Sequence, residues 1–411
     1  MGAMQEKSSV TDRGQSALTV SVILPTFNRA HLITESIDSL FAQTADILEI
    51  IIVDDGSTDN TQDVLAGYAD RVTLLAQQNG GKLSALNHGL SRARGELIWI
   101  MDDDDIAPAD ALERLLEPFR EDPETRISYG ALRKFTTNPE TGARELLHTY
   151  PYPPEDGRSF FVHVLEDCFI TGQPCLLVRR SCYESIGPMP EEITISEDYA
   201  VLMRLARRFD ARRVDAVTLL QRQHEGPRGP KDIRYAADTR YDRWCAADTT
   251  LMEELLPRLS LGEFLGYDAP AVPTNPAERR QAYFQKSVIA ARKKLWPAAL
   301  SALRAGVAAS PEARLRPVER TILSRMLGCR YGVDEVIAEP GILDEIRAAL
   351  GPLAHRKDAI AAIASLLPFL VKTAIRQGDH RRAWAKWSLY WRLTGLRTGV
   401  RTGVQRLLRT S

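Results

Sequence analysis

Leu97-Ile98-Trp99-Ile100-Met101-Asp102-Asp103-Asp104-Asp105 is the stretch on which the reading of the whole chain turns. A short apolar run of this kind reads as a buried strand, so the four aspartates stand at its C-terminal end. Adjacent carboxylates repel one another, and burial strengthens the repulsion. A cation would resolve the conflict. Oxygen-only ligands suit Mg²⁺ or Mn²⁺, which bind one or two carboxylates together with substrate phosphates. The competing reading is a solvated acidic turn that leads into a helix, because Pro108 and Asp110 look like a helix start.

Working outward, strand patterns at 19–24, 48–53, 72–76 and 97–101 alternate with helical patterns at 30–42, 60–68 and 83–94. Alternating units of this kind build an α/β fold, a mainly parallel sheet with helices on both faces. Ligands of such sheets sit outside the carboxyl ends of the strands, where strand order reverses. Pro25-Thr26-Phe27-Asn28, Asp54-Asp55-Gly56-Ser57 and Asp102 to Asp105 all fall at strand C-termini, so three polar clusters are expected on one edge. Residues 120–245 read as mixed, with strands at 126–132, 174–178 and 214–222 and helices at 159–168 and 196–208.

After about residue 246 alanine, leucine and arginine dominate and strand patterns vanish. Helix-turn-helix units at 277–310 and 361–395 hint at tetratricopeptide-like hairpins. The expected organisation is a loose N-terminus at 1–17 that begins with the tag scar Met1-Gly2-Ala3-Met4, an α/β domain at 18–245, and an all-helical domain at 246–411.

Charge is balanced over the 411 residues, 53 Lys+Arg against 54 Asp+Glu, which gives no reason to expect nucleic acid. Five cysteines, an odd number, fit reduced thiols. Cys168, Cys175 and Cys182 recur every seven residues, which is not a zinc spacing. With no signal peptide and no run of about 18 apolar residues, a cytoplasmic protein is expected. The stretch 371–411 carries ten Lys/Arg against Asp379, with Trp384, Trp387, Tyr390 and Trp391 at helical spacing. It reads either as a peripheral contact with anionic lipid at the inner membrane face or as a terminal helix packing its tryptophans on the helical domain.

Four motifs in order, SVILPTFNR at 21–29, IIVDDGSTD at 51–59, NGGK at 79–82 with ALNHGL at 85–90, and GELIWIMDDDDI at 95–106, resemble the family 2 glycosyltransferases of GT-A fold over roughly residues 19–225. The resemblance implies transfer of a sugar, with inversion, from a nucleotide-diphosphate sugar. A UDP-sugar is the family default, with Mn²⁺ or Mg²⁺ as cofactor. The acceptor would be a glycan or lipid-linked hydroxyl, in bacterial surface polysaccharide assembly. By the same resemblance Asp104 is the metal ligand of the D-x-D element, Asp102 faces the ribose or a metal-bound water, and Asp103 is the variable middle. Pro25 and Thr26 give backbone contacts to the nucleotide, Phe27 stacks on the base, and Asp55 accepts the uracil N–H. Asp54 orders its turn, and Asp105 caps the segment after the run.

Lys82 reads as a contact to base or phosphate, or as a solvated lysine. Leu86 stands where many relatives carry arginine. Ser196-Glu197-Asp198 matches the E-D element, which makes Asp198 the general base and Glu197 an acceptor or loop contact. Both also suit a helix N-terminus favoured by the macrodipole. His224 matches a histidine that approaches diphosphate or metal, or is a structural residue, and Arg228 matches a phosphate clamp in a Gly/Pro-flanked lid. Two other classes compete. A nucleotidyltransferase would carry a glycine-rich basic loop after strand 1, which PTFNR is not. A catalytically silent sugar-nucleotide scaffold would not need Asp104 and Asp198 intact.

Overall fold

The computed structural model describes residues 18–138, 140–149, 151–223, 240–329, 331 and 333–395. Strands β1 (Val20–Thr26), β2 (Glu49–Asp54), β3 (Thr73–Ala76) and β4 (Leu97–Ile100) alternate with helices α1 (Ile33–Phe41), α2 (Thr61–Ala66) and α3 (Lys82–Arg92). Next come α4 (Ala111–Glu121), β5 (Ile127–Thr137), β6 (Arg144–Thr149), α5 (Phe160–Glu166), β7 (Leu176–Arg179), α6 (Arg180–Ile186), α7 (Glu197–Ala206) and β8 (Ala211–Arg222).

The strands form one sheet in the order β3-β2-β1-β4-β7-β5-β6, with β8 paired to β5. β1 runs parallel to both β2 and β4, while β7 lies antiparallel to β4 and to β5. β1 and β4 are buried along their length, as strands covered by helices on both faces must be. The chain steps from β1 to β2 and β3, then crosses back to place β4 on the other side of β1. The crevice at the carboxyl ends of β1 and β4 is therefore the topological switch point. Helix α3 packs hard against this centre. A Cβ on Gly89 would lie 2.5 Å from Ile23 Cγ2, which explains the glycine in ALNHGL as a packing requirement. This is the GT-A arrangement expected from the motifs, extended by a helical region.

β6 and α6 are departures from the expected elements. Every residue of β6 is exposed, so no buried face writes a pattern into its sequence. α6 has seven residues, too few for a helical period to stand out.

The helical region comprises α8 (Arg240–Leu255), α9 (Pro276–Arg292), α10 (Trp296–Ala309), α11 (Pro317–Ser324), α12 (Asp334–Ala338), α13 (Pro340–Ala349), α14 (Arg356–Ala364), α15 (Leu367–Arg376) and α16 (His380–Thr394). The two expected hairpins are α9/α10 and α15/α16. The composition break near residue 246 falls inside α8. One hydrophobic core runs from Val20 in β1 to Leu393 in α16. The run Arg356–Arg376 is long and apolar enough to cross a membrane by length and composition, which corrects the expectation that no stretch reaches that size. Ser365 and Leu366 separate α14 from α15 within the run, and 39% of its apolar window is buried inside the protein.

Behind the sheet, Glu166 at the end of α5 is fully buried and ion-paired to Arg158 and Arg325. It also accepts Gln285 Nε2 at 2.7 Å, and Arg292 Nε donates to its backbone carbonyl at 3.0 Å. Burial alone would raise this carboxyl, but Arg325 and Arg158 hold it below the ordinary range. Gln285, Arg292 and Arg325 come from α9 and the end of α11, so buried charge as well as apolar packing ties the helices to the sheet.

Candidate active site

Residues 25–29 leave β1 in a turn that closes at Asn28, whose φ is 55°. Asn28 Oδ1 accepts the N–H groups of Thr58 (2.7 Å) and Asp59 (3.2 Å), and Asn28 N donates to Ser57 Oγ at 2.9 Å. The loops after β1 and β2 are thus interlocked. Asp54 orders its turn as expected, accepting Ser57 N at 3.0 Å and Gln62 Nε2 at 2.8 Å.

Asp55 is only 3% exposed. Its carboxylate accepts Gln77 Nε2, Gly80 N and Gly81 N, each at 2.8 Å. Gly56, at φ 76°, lets the backbone approach so closely that a Cβ there would stand 2.9 Å from Asn79 N. In the structure Asp55 therefore organises the 79–82 loop, and that loop launches Lys82 from the start of α3.

The four aspartates divide. Asp105 turns inward, 2% exposed, and accepts Arg222 N at 2.9 Å. Arg222 Nε also donates to the Asp104 carbonyl at 3.1 Å, so the end of β8 pins the aspartate turn. Asp102, Asp103 and Asp104 meet the cations of the crevice instead. Lys82 Nζ lies 2.8 Å from Asp102 Oδ1. The Arg29 guanidinium lies 3.4 Å from Asp103 Oδ1 and 3.7 Å from Asp104 Oδ2. Phe27 N donates to Asp103 Oδ2 at 3.4 Å, which places half-buried Phe27 beside the aspartates. Burial, reinforced by the Asp104 charge, pushes the Asp103 carboxyl up to about 7. Burial and the charges of Asp198 and Asp104 also raise Asp102, against the pull of Lys82.

Across from them, α7 opens with Glu197 and Asp198. Lys82 Nζ reaches Asp198 Oδ1 at 2.9 Å and Oδ2 at 3.3 Å, over a sequence separation of 116 residues. Lys82 is thus neither a solvated surface residue nor a lone contact: it joins Asp102 to Asp198. Gln173, in the single helical turn before β7, donates Nε2 to Asp198 Oδ1 at 3.3 Å. Trp99 Nε1 ties that turn to β4 through the Pro174 carbonyl at 2.8 Å. Burial and the Asp198 charge push the Glu197 carboxyl up to about 7.

Pro25 and Thr26 end β1, and Thr26 O accepts Asp55 N at 2.9 Å. Leu86 is fully buried in the core. His224 and Arg228 lie outside the described residues. Among the described residues no three His, Cys, Asp or Glu side chains gather as a metal cage.

Arg29, Gln173 and Arg222 are the residues that reading the sequence missed. Arg29 sits inside the quoted SVILPTFNR stretch and Arg222 two residues before His224, and a basic residue within or next to a matched motif is the signal that could have found them. Gln173 carries no comparable signal.

Residues 21–187 match the family described as Glycosyl transferase family 2. An uncharacterized glycosyltransferase of Rickettsia typhi is 43% identical over 86 residues, 21% of this chain and 27% of that protein. The uncharacterized glycosyltransferase EpsJ of Bacillus subtilis is 32% identical over 188 residues, 44% of this chain and 53% of EpsJ. The chain thus spans about half or less of the length of these relatives. Among solved structures, S. aureus TarS 1-349 in complex with UDP-GlcNAc aligns at a TM-score of 0.46 and 16% identity, over 88% of this chain and 92% of that one. The part of this chain at 21–187 is therefore a glycosyl transferase family 2 domain.

Proposed function

We propose that the protein transfers a sugar from a nucleoside-diphosphate sugar, with UDP as the nucleotide, to a hydroxyl of a glycan or lipid-linked acceptor, with inversion at the anomeric carbon. The observation that carries this reading is the convergence of Asp102 and Asp198 on one ammonium group, at 2.8 and 2.9 Å. A carboxylate from the switch-point crevice and a carboxylate from the start of α7 thereby face the same small space.

Inversion by single displacement needs one base that takes the acceptor proton as the new bond forms. Asp198 is assigned that role, with Gln173 holding one of its oxygens and Glu197 meeting the acceptor. Asp102, Asp103 and Asp104 fit Mn²⁺ or Mg²⁺: their donors are all oxygen, and an ion held by so few carboxylates takes its remaining ligands from phosphates and water. When bound, such an ion neutralises charge on the departing diphosphate. Asp104 would hold it, with Asp102 on the ribose side. Arg29 and Lys82 add positive charge beside the diphosphate path, and His224 and Arg228 join them on the strength of their sequence motif. Pro25, Thr26 and Phe27 line the nucleotide end, and Asp55 serves it chiefly by shaping the Gly80-Gly81-Lys82 loop. A cytoplasmic enzyme of surface-polysaccharide assembly that touches anionic lipid suits Trp384, 56% exposed, and Phe369, 64% exposed, among the lysines and arginines of α15 and α16.

The test pairs a thermal-shift panel of nucleotide-sugars, with Mn²⁺ present, with turnover of the stabilising donor by wild type and Asp198→Asn. A uridine diphosphate sugar should stabilise the protein, and Asp198→Asn should keep that shift while losing at least about a hundredfold in kcat. Normal turnover by the variant would remove the assignment of the base.

A further inference from the structure

The residue before the Glu197-Asp198 pair is strained. Ser196 has φ 59° and ψ 29°, the left-handed region, which costs a residue with a Cβ energy that glycine does not lose. As N-cap of α7 its hydroxyl would be expected to turn back onto the helix, yet it makes no cap hydrogen bond. It donates instead to Asp248 Oδ1 at 2.9 Å. Asp248 lies on α8 and is 2% exposed. Its other oxygen accepts Tyr331 Oη at 2.7 Å and Lys293 Nζ at 3.3 Å. Lys293 caps α9, is itself 2% exposed, and places its ammonium 4.3 Å from the ring centre of Tyr199. The residues on both sides of Glu197-Asp198 are therefore held by one buried cluster from the helical region.

We propose that Asp248, fixed by Lys293 and Tyr331, is a positioning residue: through Ser196 it holds the start of α7 in the conformation that aims Asp198. This rests on the reading of Asp198 as the base and gives the helical region a part in the reaction. A hydrogen bond from a buried, doubly supported carboxylate is a means of over-determining a backbone conformation that would otherwise relax.

The experiment uses the full chain and compares Ser196→Ala, Ser196→Gly, Tyr331→Phe and Asp198→Asn. It measures release of UDP from whichever of UDP-glucose, UDP-galactose and UDP-GlcNAc stabilises the protein most, with Mn²⁺ present. The two Ser196 variants lose the same bond to Asp248 and differ in whether residue 196 tolerates a positive φ. Ser196→Ala should lower kcat about tenfold, the cost of one left-handed residue expressed as a rate, with donor KM and UDP-binding stoichiometry retained. Ser196→Gly should keep a kcat at least about five times that of Ser196→Ala. Tyr331→Phe should speed amide hydrogen exchange at the start of α7, a readout independent of activity.

Equal kcat in the alanine and glycine variants, wild-type kcat in Ser196→Ala, or unchanged exchange in Tyr331→Phe overturns the proposal. If Asp198→Asn is inactive while Ser196→Ala turns over normally, the positioning role fails and the base survives. If Asp198→Asn is fully active, both fall.

Discussion

Lys82→Met tests whether the crevice is built around a shared cation. In the ligand-free protein Lys82 holds Asp102 at 2.8 Å and Asp198 at 2.9 Å. At an effective dielectric of about 20, each contact is worth about 6 kcal/mol in Coulomb energy, most of it offset by desolvation. The two carboxylates also repel one another. Side-chain exposures of 25% for Lys82, 18% for Asp102 and 21% for Asp198 decide the scale. They place the trio between exposed pairs, worth about 1 kcal/mol or less, and buried ones, where losing a partner costs about 3–5 kcal/mol. A net loss of about 2–3 kcal/mol is expected from that range. Over 411 residues, an unfolding entropy of about 2.1 cal/mol/K per residue converts this to a fall in Tm of about 3 °C. The assay is calorimetry of the ligand-free protein, in a cycle with Asp198→Asn. Lys82→Met should cost distinctly less in the Asp198→Asn background, with a coupling of at least about 1 kcal/mol. An unchanged Tm, or strict additivity of the two substitutions, refutes the shared-cation account.

The same geometry sets three further outcomes. Glu166→Gln should destabilise by about 3–5 kcal/mol in chemical denaturation, because Arg325 loses its carboxylate partner and Arg158 is left with Asp156 alone; a loss below about 1 kcal/mol would remove Glu166 as the electrostatic tie between sheet and helices. Glu197 stands near 7 when folded, above the 4.5 of a free carboxyl, so the native state holds more protons than the unfolded one between those values. Stability should fall as pH rises through that window, and Glu197→Gln should flatten the Tm–pH curve there; an equal slope in both proteins counts against the burial of that carboxyl. Added Mn²⁺ should raise the Tm of the UDP complex reversibly to EDTA. Asp104→Asn should lose that increment, whereas Asp105→Asn should keep it and lower the starting Tm, since Asp105 accepts Arg222 N rather than facing the crevice; the opposite pattern would mean the aspartate register is shifted by one.

How much of this was legible depends on where each residue's reason for being there lies. β1, β2 and β4 announce themselves because strands covered on both faces must be apolar throughout. β6 has no buried face and leaves no trace in the sequence. Within the site, Asp102, Asp104 and Asp198 stand in recognisable motifs, but the link between Asp102 and Asp198 is a lysine 116 residues from Asp198, and no local pattern records a contact of that range. Asp54-Asp55-Gly56-Ser57 shows the converse difficulty. A carboxylate that meets a base and one that gathers the amides of a neighbouring loop call for the same residue types, and the structure turns Asp55 to the amides of Gly80 and Gly81. Asn87 is similar: inside ALNHGL it exchanges hydrogen bonds with the backbone of Met189, pinning the segment before α7 rather than meeting a ligand.

The break in composition near residue 246 invites the view that the helices are an appendage, and the buried charges argue otherwise. Glu166 and Asp248 are each almost wholly inaccessible: Glu166 takes Arg325 from beyond that break, and Asp248, which lies beyond it with its own cation Lys293, takes the Ser196 hydroxyl from before it. A buried carboxylate deprived of its counter-ion loses far more than a surface pair, so neither half can shed the other without exposing or orphaning charge. The two tethers also sit at different distances from the chemistry. Glu166 lies behind the sheet at the end of α5, where it acts on stability. Asp248 touches Ser196, two residues from Asp198. A family that varies its helical region would on this physics be constrained more tightly at the second contact than at the first, because a misplaced base costs rate even when the fold survives.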